Sequence, residues 1–158
     1  RWWFEHGASR VVIGTAAIED RHFLHELCNH YPGQVVVSID ARRNKVMCHG
    51  WTEETIYTPL EVARDLQERG VAAIIYTDID LDDDHPEATF AITTKMVDEL
   101  HIPVISSGAV KTLDDISTLR MLPNIAGVVV GRALMSGAVS LEDALAVCQQ
   151  PDSFAEFL

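Results

Sequence analysis

The sequence is poor in basic residues and has no long apolar run. Only 12 of its 158 residues are Lys or Arg, against 24 Asp or Glu, which gives a net charge of −12. A nucleic-acid surface needs clustered cations, so we expect no nucleic-acid partner. No stretch reaches the roughly 20 apolar residues of a membrane-spanning helix, so we expect no membrane partner. A phosphorylated small molecule stays possible, because backbone N–H groups at helix N-termini bind phosphate without any lysine.

Cysteines and metal motifs are also sparse. Cys28, Cys48 and Cys148 are odd in number and far apart, which fits reduced thiols in the cytoplasm and gives no CxxC metal site. The acidic residues 80–84 have the spacing of a calcium loop but lack its glycine and its final glutamate. His22 and His25 form no HExxH motif. We therefore predict no metal site, and because we find no basic n-region, apolar h-region and cleavage site we expect no secretion.

What the sequence does contain is a repeated pattern of strands and helices. Its Val/Ile-rich runs do not alternate with polar residues, as is typical of parallel strands buried on both faces. Helix-capping patterns separate the runs, among them Thr58-Pro59 with Glu61 and a capping glycine at Gly70. We therefore predict a single α/β domain over residues 1–158. The five runs are residues 10–14, 35–39, 72–77, 103–107 and 126–131.

Two architectures fit this pattern. One is an open, doubly wound sheet of five strands. The other is part of a (β/α)8 TIM barrel, a fold that usually takes about 250 residues. The opening stretch "RWWFEHGASR" has the pattern of a final helical turn with its capping glycine. A domain that opens inside a helix leads us to expect a missing front half, which favours the partial barrel.

Chemistry is expected at the carboxyl ends of the strands, where both architectures bind ligands. Asp40 follows the apolar run "VVVSI", where a charge is unfavourable for a strand or a core. It is either a cap of the next segment or a general acid or base. Thr77 ends the next strand, and Trp51, after a flexible loop, is either a stacking platform or a packing residue.

Three strands are followed by small-residue turns that open into helices. Glycine lets the backbone approach an anion, and the helix dipole favours negative charge. A single turn of this kind is also explained by the tightness of βα loops, whereas neighbouring strand ends that carry both Gly108 and Gly131 resemble the phosphate site formed by the last two loops of a barrel. The three turns are Gly14-Thr15-Ala16, Ser107-Gly108-Ala109 and Gly131-Arg132-Ala133.

Five segments together resemble one family. In order and spacing they are similar to the later strands of the histidine-biosynthesis isomerases that act on phosphoribosylformimino-5-aminoimidazole carboxamide ribotide. The resemblance covers nearly the whole chain and implies a partial (β/α)8 barrel with five parallel strands, from the helix before strand four through strand eight. It implies a partner as well, either a missing N-terminal half-barrel or a second copy. The segments are "VVIGTAAIED", "SIDARRNKVMCHGWTE", "IIYTDIDLD", "PVISSGAVKTLDDI" and "GVVVGRAL".

The resemblance also implies an activity. Members convert an aminoaldose into an aminoketose by an Amadori rearrangement that uses two aspartates and no metal or organic cofactor. Asp40 matches the aspartate of the fifth strand, whereas no segment of this chain matches the one on the first strand. The substrate is a small phosphosugar with two phosphates. The implied contacts are Thr77, Asp82 and a mobile Trp51 for the substrate, Gly14 and Thr15 for one phosphate, and Gly108, Ala109, Gly131 and Arg132 for the other.

The chain departs from the family pattern at two places. Asp82-Asp83-Asp84 stands where the family usually has Asp-Gly-Thr, and Gly108-Ala109 replaces a Gly-Gly pair. Three other readings therefore stay open. One is the sister cyclase of the same pathway, which shares "SIDA" but usually has a longer fifth loop and Thr-Ser in place of Thr77-Asp78. The others are an isomerase that also accepts a tryptophan-pathway substrate, and a non-catalytic phosphosugar-binding half-barrel.

Overall fold

The computed structural model describes residues 1–79 and 86–149, and of residues 86–89 the backbone alone. Its helices and strands alternate along the chain as the sequence pattern predicts. The strands are β1 (Val11–Ile13), β2 (Val35–Arg42), β3 (Lys45–Cys48), β4 (Glu53–Glu54), β5 (Ala73–Asp78), β6 (Val104–Ser107) and β7 (Ile125–Val129). The helices are α1 (Trp2–Glu5), α2 (Thr15–Glu19), α3 (Arg21–His30), α4 (Pro59–Glu68), α5 (Pro86–Glu99), α6 (Leu113–Arg120), α7 (Arg132–Met135) and α8 (Leu141–Gln149).

The parallel part of the sheet follows the order of the chain. β1 pairs with β2, β2 with β5, β5 with β6 and β6 with β7, all in parallel. These are the five strands that the apolar runs predict, so the α/β fold with a mostly parallel sheet is confirmed. Across the described residues the sheet is open, and its parallel strands show no reversal of order of the kind that defines a doubly wound sheet.

The two faces of the sheet have different environments. Right-handed crossovers that all advance in one direction leave their helices on the same face. On that face Ile39, Tyr76 and Val104 are fully buried in one core with Leu24 of α3 and Leu66 of α4. The opposite face carries Asp40, Thr77 and Ser107, which are neighbours in the register of β2, β5 and β6. We refer to it as the Asp40 face.

The predicted helix caps form. Thr58 and Glu61 make the reciprocal bonds of a capping box at the start of α4. Asp115 accepts from the backbone N–H of Thr112 at the start of α6. Gly70, which follows α4, has a φ of +80°, the left-handed conformation that a C-cap glycine supplies.

The segment after Asp40 differs from the prediction. β3 and β4 form an antiparallel extension of β2, where the sequence predicted a flexible loop. Arg43 and Asn44 both have positive φ, as a two-residue type I′ hairpin turn requires. The pairing of Arg42 with Lys45 prolongs β2 past Ile39, so Asp40 lies inside the strand. No helix of the described residues is long and apolar enough to cross a membrane.

The core under the helices sets the stability of this arrangement. We predict that Leu66→Ala lowers the free energy of unfolding by about 2 to 5 kcal/mol, because it leaves a cavity at a fully buried position. Leu145→Ala is the matched control, since this leucine of α8 is 50% exposed. Urea denaturation monitored by circular dichroism compares the two. If both substitutions lowered the free energy of unfolding by the same small amount, the burial of Leu66 in the core would be contradicted.

Candidate active site

The Asp40 carboxylate is held by two side-chain donors. The Ser38 hydroxyl donates to its Oδ1 at 2.9 Å, and the Trp51 indole N–H donates to its Oδ2 at 2.7 Å. Ser38 lies two residues earlier on β2 and therefore on the same face. Hydrogen bonds to an ionised acceptor are the strong ones, so the two donors fix the orientation of the carboxylate.

A cavity of about 590 Å³ lies beside Asp40, at the carboxyl ends of β5, β6 and β7. Trp51 is part of its wall and donates its indole N–H to Asp40. Sequence reasoning predicted five of the lining residues as site residues, and the structure brings these five together. They are Trp51, Thr77, Gly108, Gly131 and Arg132.

Two polar residues of the cavity were not predicted. Lys111 and Ser136 line it together with Arg132. Lys111 adds a second cation to a site in a chain whose net charge is −12, so the cavity concentrates positive charge where an anion would bind. The signal in the sequence was the cation three residues after Gly108, in the same loop as the predicted phosphate turn.

Three of the predicted phosphate-binding residues do not line the cavity. Ala109 is buried in a second core cluster with Val110 and Ile116. Gly14 and Thr15 follow β1, away from the cavity, and an added Cβ at Gly14 would lie 4.0 Å from the Ser38 carbonyl oxygen. Asp82 lies outside the described residues.

Gly108 has a conformational reason to be glycine. Its φ is +82°, and an added Cβ would lie 3.6 Å from both the Asp78 carbonyl oxygen and the Thr77 Cγ2. Space is therefore sufficient, but the left-handed backbone is strained for any other L-residue.

The turn of the β3–β4 hairpin is strained and anchored. His49, Gly50 and Trp51 have φ values of 50°, 65° and 70°, and a left-handed conformation costs a non-glycine residue about 1 to 2 kcal/mol. The Thr52 hydroxyl donates to the His49 carbonyl oxygen, and the His49 N–H donates to the Thr15 hydroxyl oxygen. Trp51 thus lies in a turn that is held by hydrogen bonds, where the sequence predicted a flexible loop.

His49 also forms a side-chain contact with α2. Its Nε2 lies 2.7 Å from Glu19 Oε1 and 3.9 Å from Glu53 Oε2. The hydrogen bond to Glu19 and the charges of Glu19 and Glu53 raise the pKa of His49. In the described part of the chain these three residues alone bring three potential ligand atoms within 4.8 Å of one another. We assign no metal to them, because all three are exposed and His49 already shares a hydrogen bond with Glu19.

Burial is the main cause that raises the pKa of the Cys48 thiol beside this turn, and Glu19 adds to it. A thiol with a raised pKa carries little thiolate, the reactive form, so Cys48 is no candidate nucleophile. Cys28 is likewise buried and has a pKa raised by burial.

We predict that Gly108→Ala lowers the free energy of unfolding by roughly 1 to 2 kcal/mol because of its positive φ. Gly127→Ala in β7 is the matched control, because an added Cβ there meets nothing within 4 Å and its φ is not positive. Thermal denaturation compares the two variants. The strained backbone would be refuted if Gly108→Ala were as stable as Gly127→Ala.

Comparisons with known proteins give the chain's relatives. The profile of a family described as histidine biosynthesis protein matches residues 1–140. A protein of Syntrophus aciditrophicus is 43% identical over 151 residues, which cover 93% of this chain and 62% of the relative. One of Ruegeria sp. strain TM1040 is 40% identical over 158 residues, 99% of this chain and 64% of the relative.

A third relative, from Paramagnetospirillum magneticum, is 41% identical over 145 residues, 92% of this chain and 61% of the relative. All three are named 1-(5-phosphoribosyl)-5-((5-phosphoribosylamino)methylideneamino) imidazole-4-carboxamide isomerase, the Ruegeria protein with the suffix 1. The chain spans a little under two thirds of the length of these curated relatives.

Proposed function

The chain belongs to the histidine biosynthesis protein family, and on that premise we propose that it carries the fifth-strand acid/base group of an aldose–ketose isomerase. Residues 1–158 would form one domain, the later part of a (β/α)8 barrel. The support is a parallel sheet in strict chain order with its helices on one face, as in a barrel wall. Val12 and Val129, on the Asp40 face by register, are 56% and 45% exposed, which fits a barrel interior with part of its wall absent.

The proposed substrate is the bis-phosphorylated aminoimidazole carboxamide ribotide named for the relatives. Asp40, when protonated, gives its proton to the ribose ring oxygen. The C1–O bond then breaks, and the nitrogen lone pair forms a C=N iminium. A base removes the C2 proton, and the resulting enolamine becomes the ketone when C1 gains a proton and the C2 hydroxyl loses its proton to a base. Proton transfers of this kind are worth about 10² to 10⁴ in rate each.

The observation that carries the proposal is the position of Asp40 relative to the cavity. Asp40 and Thr77 are register neighbours on the Asp40 face, and Thr77 lines the cavity with Arg132 and Lys111. One phosphate would bind there, at the turns that contain Gly108-Ala109 and Gly131. The ring would then lie near Asp40, with the Thr77 hydroxyl facing it.

The second phosphate would bind at Gly14 and Thr15. Four inter-strand spacings separate β1 from β7, so the two turns are about 19 Å apart along a flat sheet and closer across a curved one. Asp40 on β2 lies between them. A long substrate with a phosphate at each end suits this order of groups.

Three further features complete the proposal. Asp82, in the loop after β5, would contact the substrate. Trp51 occupies one side of the Asp40 carboxylate through its indole N–H, and on that ground we propose that the Trp51–Asp40 bond opens when the substrate ring approaches. The partner would be an N-terminal half-barrel that supplies the second aspartate, or a second copy of the chain.

We also propose a cytoplasmic location and no cofactor. The exposed free thiol of Cys148 fits a reducing compartment. The isomerase names of the relatives favour this activity over the cyclase reading, and the non-catalytic half-barrel becomes an outcome of the test.

The test is isomerase activity of the chain alone and together with an N-terminal half-barrel from the family. We predict at most trace turnover alone, because one proton-transfer group is missing, and turnover on complementation. Asp40→Asn should lower kcat of the complex by about 10² to 10⁴.

Asp98→Asn is the matched control, an exposed aspartate of α5. A complemented Asp40→Asn enzyme as active as the control would exclude Asp40 as the acid. If a complex forms and stays inactive with Asp40 intact, the chain is a binding half-barrel.

A further inference from the structure

A single residue ties the turn of the β3–β4 hairpin to the rest of the sheet edge. The backbone N–H of His49 donates to Thr15 Oγ1 at 2.9 Å, and its Nε2 lies 2.7 Å from Glu19 Oε1. Thr15 and Glu19 are the first and last residues of α2. His49 is therefore attached to both ends of one short helix, once through its backbone and once through its side chain.

The attachment reaches Asp40 through two further residues of the turn. Gly50 and Trp51 follow His49, and Trp51 donates its indole N–H to Asp40 Oδ2 at 2.7 Å. His49 and Trp51 both have positive φ, which their own preferences disfavour. Tertiary contacts must therefore hold this turn, and apart from the Trp51–Asp40 bond itself those of His49 are the nearest along the chain to Trp51.

We propose that His49 is a positioning residue that, with Thr15 and Glu19, holds Trp51 on the Asp40 carboxylate and against the cavity. The effect of His49 on turnover rests on the proposed function. The effect of His49 on the Trp51–Asp40 hydrogen bond is independent of that function, because the bond is present in the structure of this chain. His49 would thus decide how readily Trp51 leaves Asp40 when a ligand enters.

The side-chain part of this attachment depends on charge. The groups that face His49 are Glu19 of α2 and Glu53 of β4, with the Cys48 thiol of β3 next to it in the chain. Because Glu19 and Glu53 raise the pKa of His49, its stabilising contribution is fully present below the usual histidine pKa of about 6.5. That contribution is lost as the pH rises through the raised value. The position of Trp51 should therefore follow the protonation of His49.

The experiment records the indole N–H signals of the ¹⁵N-tryptophan-labelled chain by NMR between pH 5 and 9. The three tryptophans give three signals, and Trp51→Phe identifies the one of interest. We expect the Trp51 signal to shift as His49 titrates. His49→Gln should abolish that dependence, and His49→Ala should move the signal toward its position in Asp40→Asn, where the charged acceptor is lost. His22→Gln, at an exposed histidine of α3, is the matched control and should titrate like the parent.

A second variant and an activity measurement test the same contact independently. Glu19→Gln removes the charged partner of His49 and should also reduce the pH dependence of the Trp51 signal. This variant tests the proposal even if the His49→Ala protein does not fold. In the complemented enzyme we expect His49→Ala to raise KM about threefold to tenfold, on the scale of one lost charged hydrogen bond at a solvated site. Rescue of KM by His49→Gln at all pH values would fit the same role.

A Trp51 signal that ignores pH, or that stays unchanged in both His49→Ala and Glu19→Gln, overturns the proposal. If the signals behave as expected while every complemented variant is inactive, the positioning role stands and the proposed isomerase function fails. If the complemented variants have normal activity and the Trp51 signal does not respond to pH, the positioning role fails and the proposed isomerase function stands.

Discussion

The hydrogen-bonded register of the parallel strands is the constraint on which the candidate site depends. Pairing of β2 with β5 and of β5 with β6 aligns Asp40, Thr77 and Ser107 in one row. Because side chains alternate along a strand, a slip of one residue in β2 would turn Asp40 into the apolar core that holds Ile39. The buried residues on the helix side therefore fix the position of the acid on the other side. The packing of the core thus also sets the direction in which the Asp40 side chain points.

Charge is separated along the ends of the strands. The chain as a whole is strongly acidic, yet Lys111 and Arg132 both line the cavity beyond Trp51. On the other side of Asp40, Glu19 and Glu53 surround His49. Under the proposed function, an anionic ligand would bind on the β6–β7 side. The β1 side instead stabilises a cationic imidazole, which in turn ties the hairpin turn that carries Trp51.

The sequence predicts the features that local physics decides. Strand runs, the capping box at Thr58 and the C-cap glycine Gly70 follow from side-chain shape, hydrogen-bonding groups and φ preference, and these predictions agree with the structure. The hairpin was missed because "KVMC" is short and becomes a strand by pairing with Asp40–Arg42, a tertiary effect. The His49–Glu19 contact joins residues 30 positions apart, and no local pattern marks it. The partial barrel and the roles of the site residues stay predictions.

The central claim is that Asp40 delivers a proton to the ring oxygen of a ligand whose phosphate lies between Gly108 and Arg132. The most direct measurement is a crystal structure of the complemented protein with a non-reactive bis-phosphorylated analogue. The account predicts an Asp40 oxygen within about 2.6 to 3.2 Å of the ring oxygen, the reach of proton transfer, with the Trp51 indole moved off the carboxylate. A ring bound away from Asp40, with the Trp51–Asp40 bond intact, would contradict it.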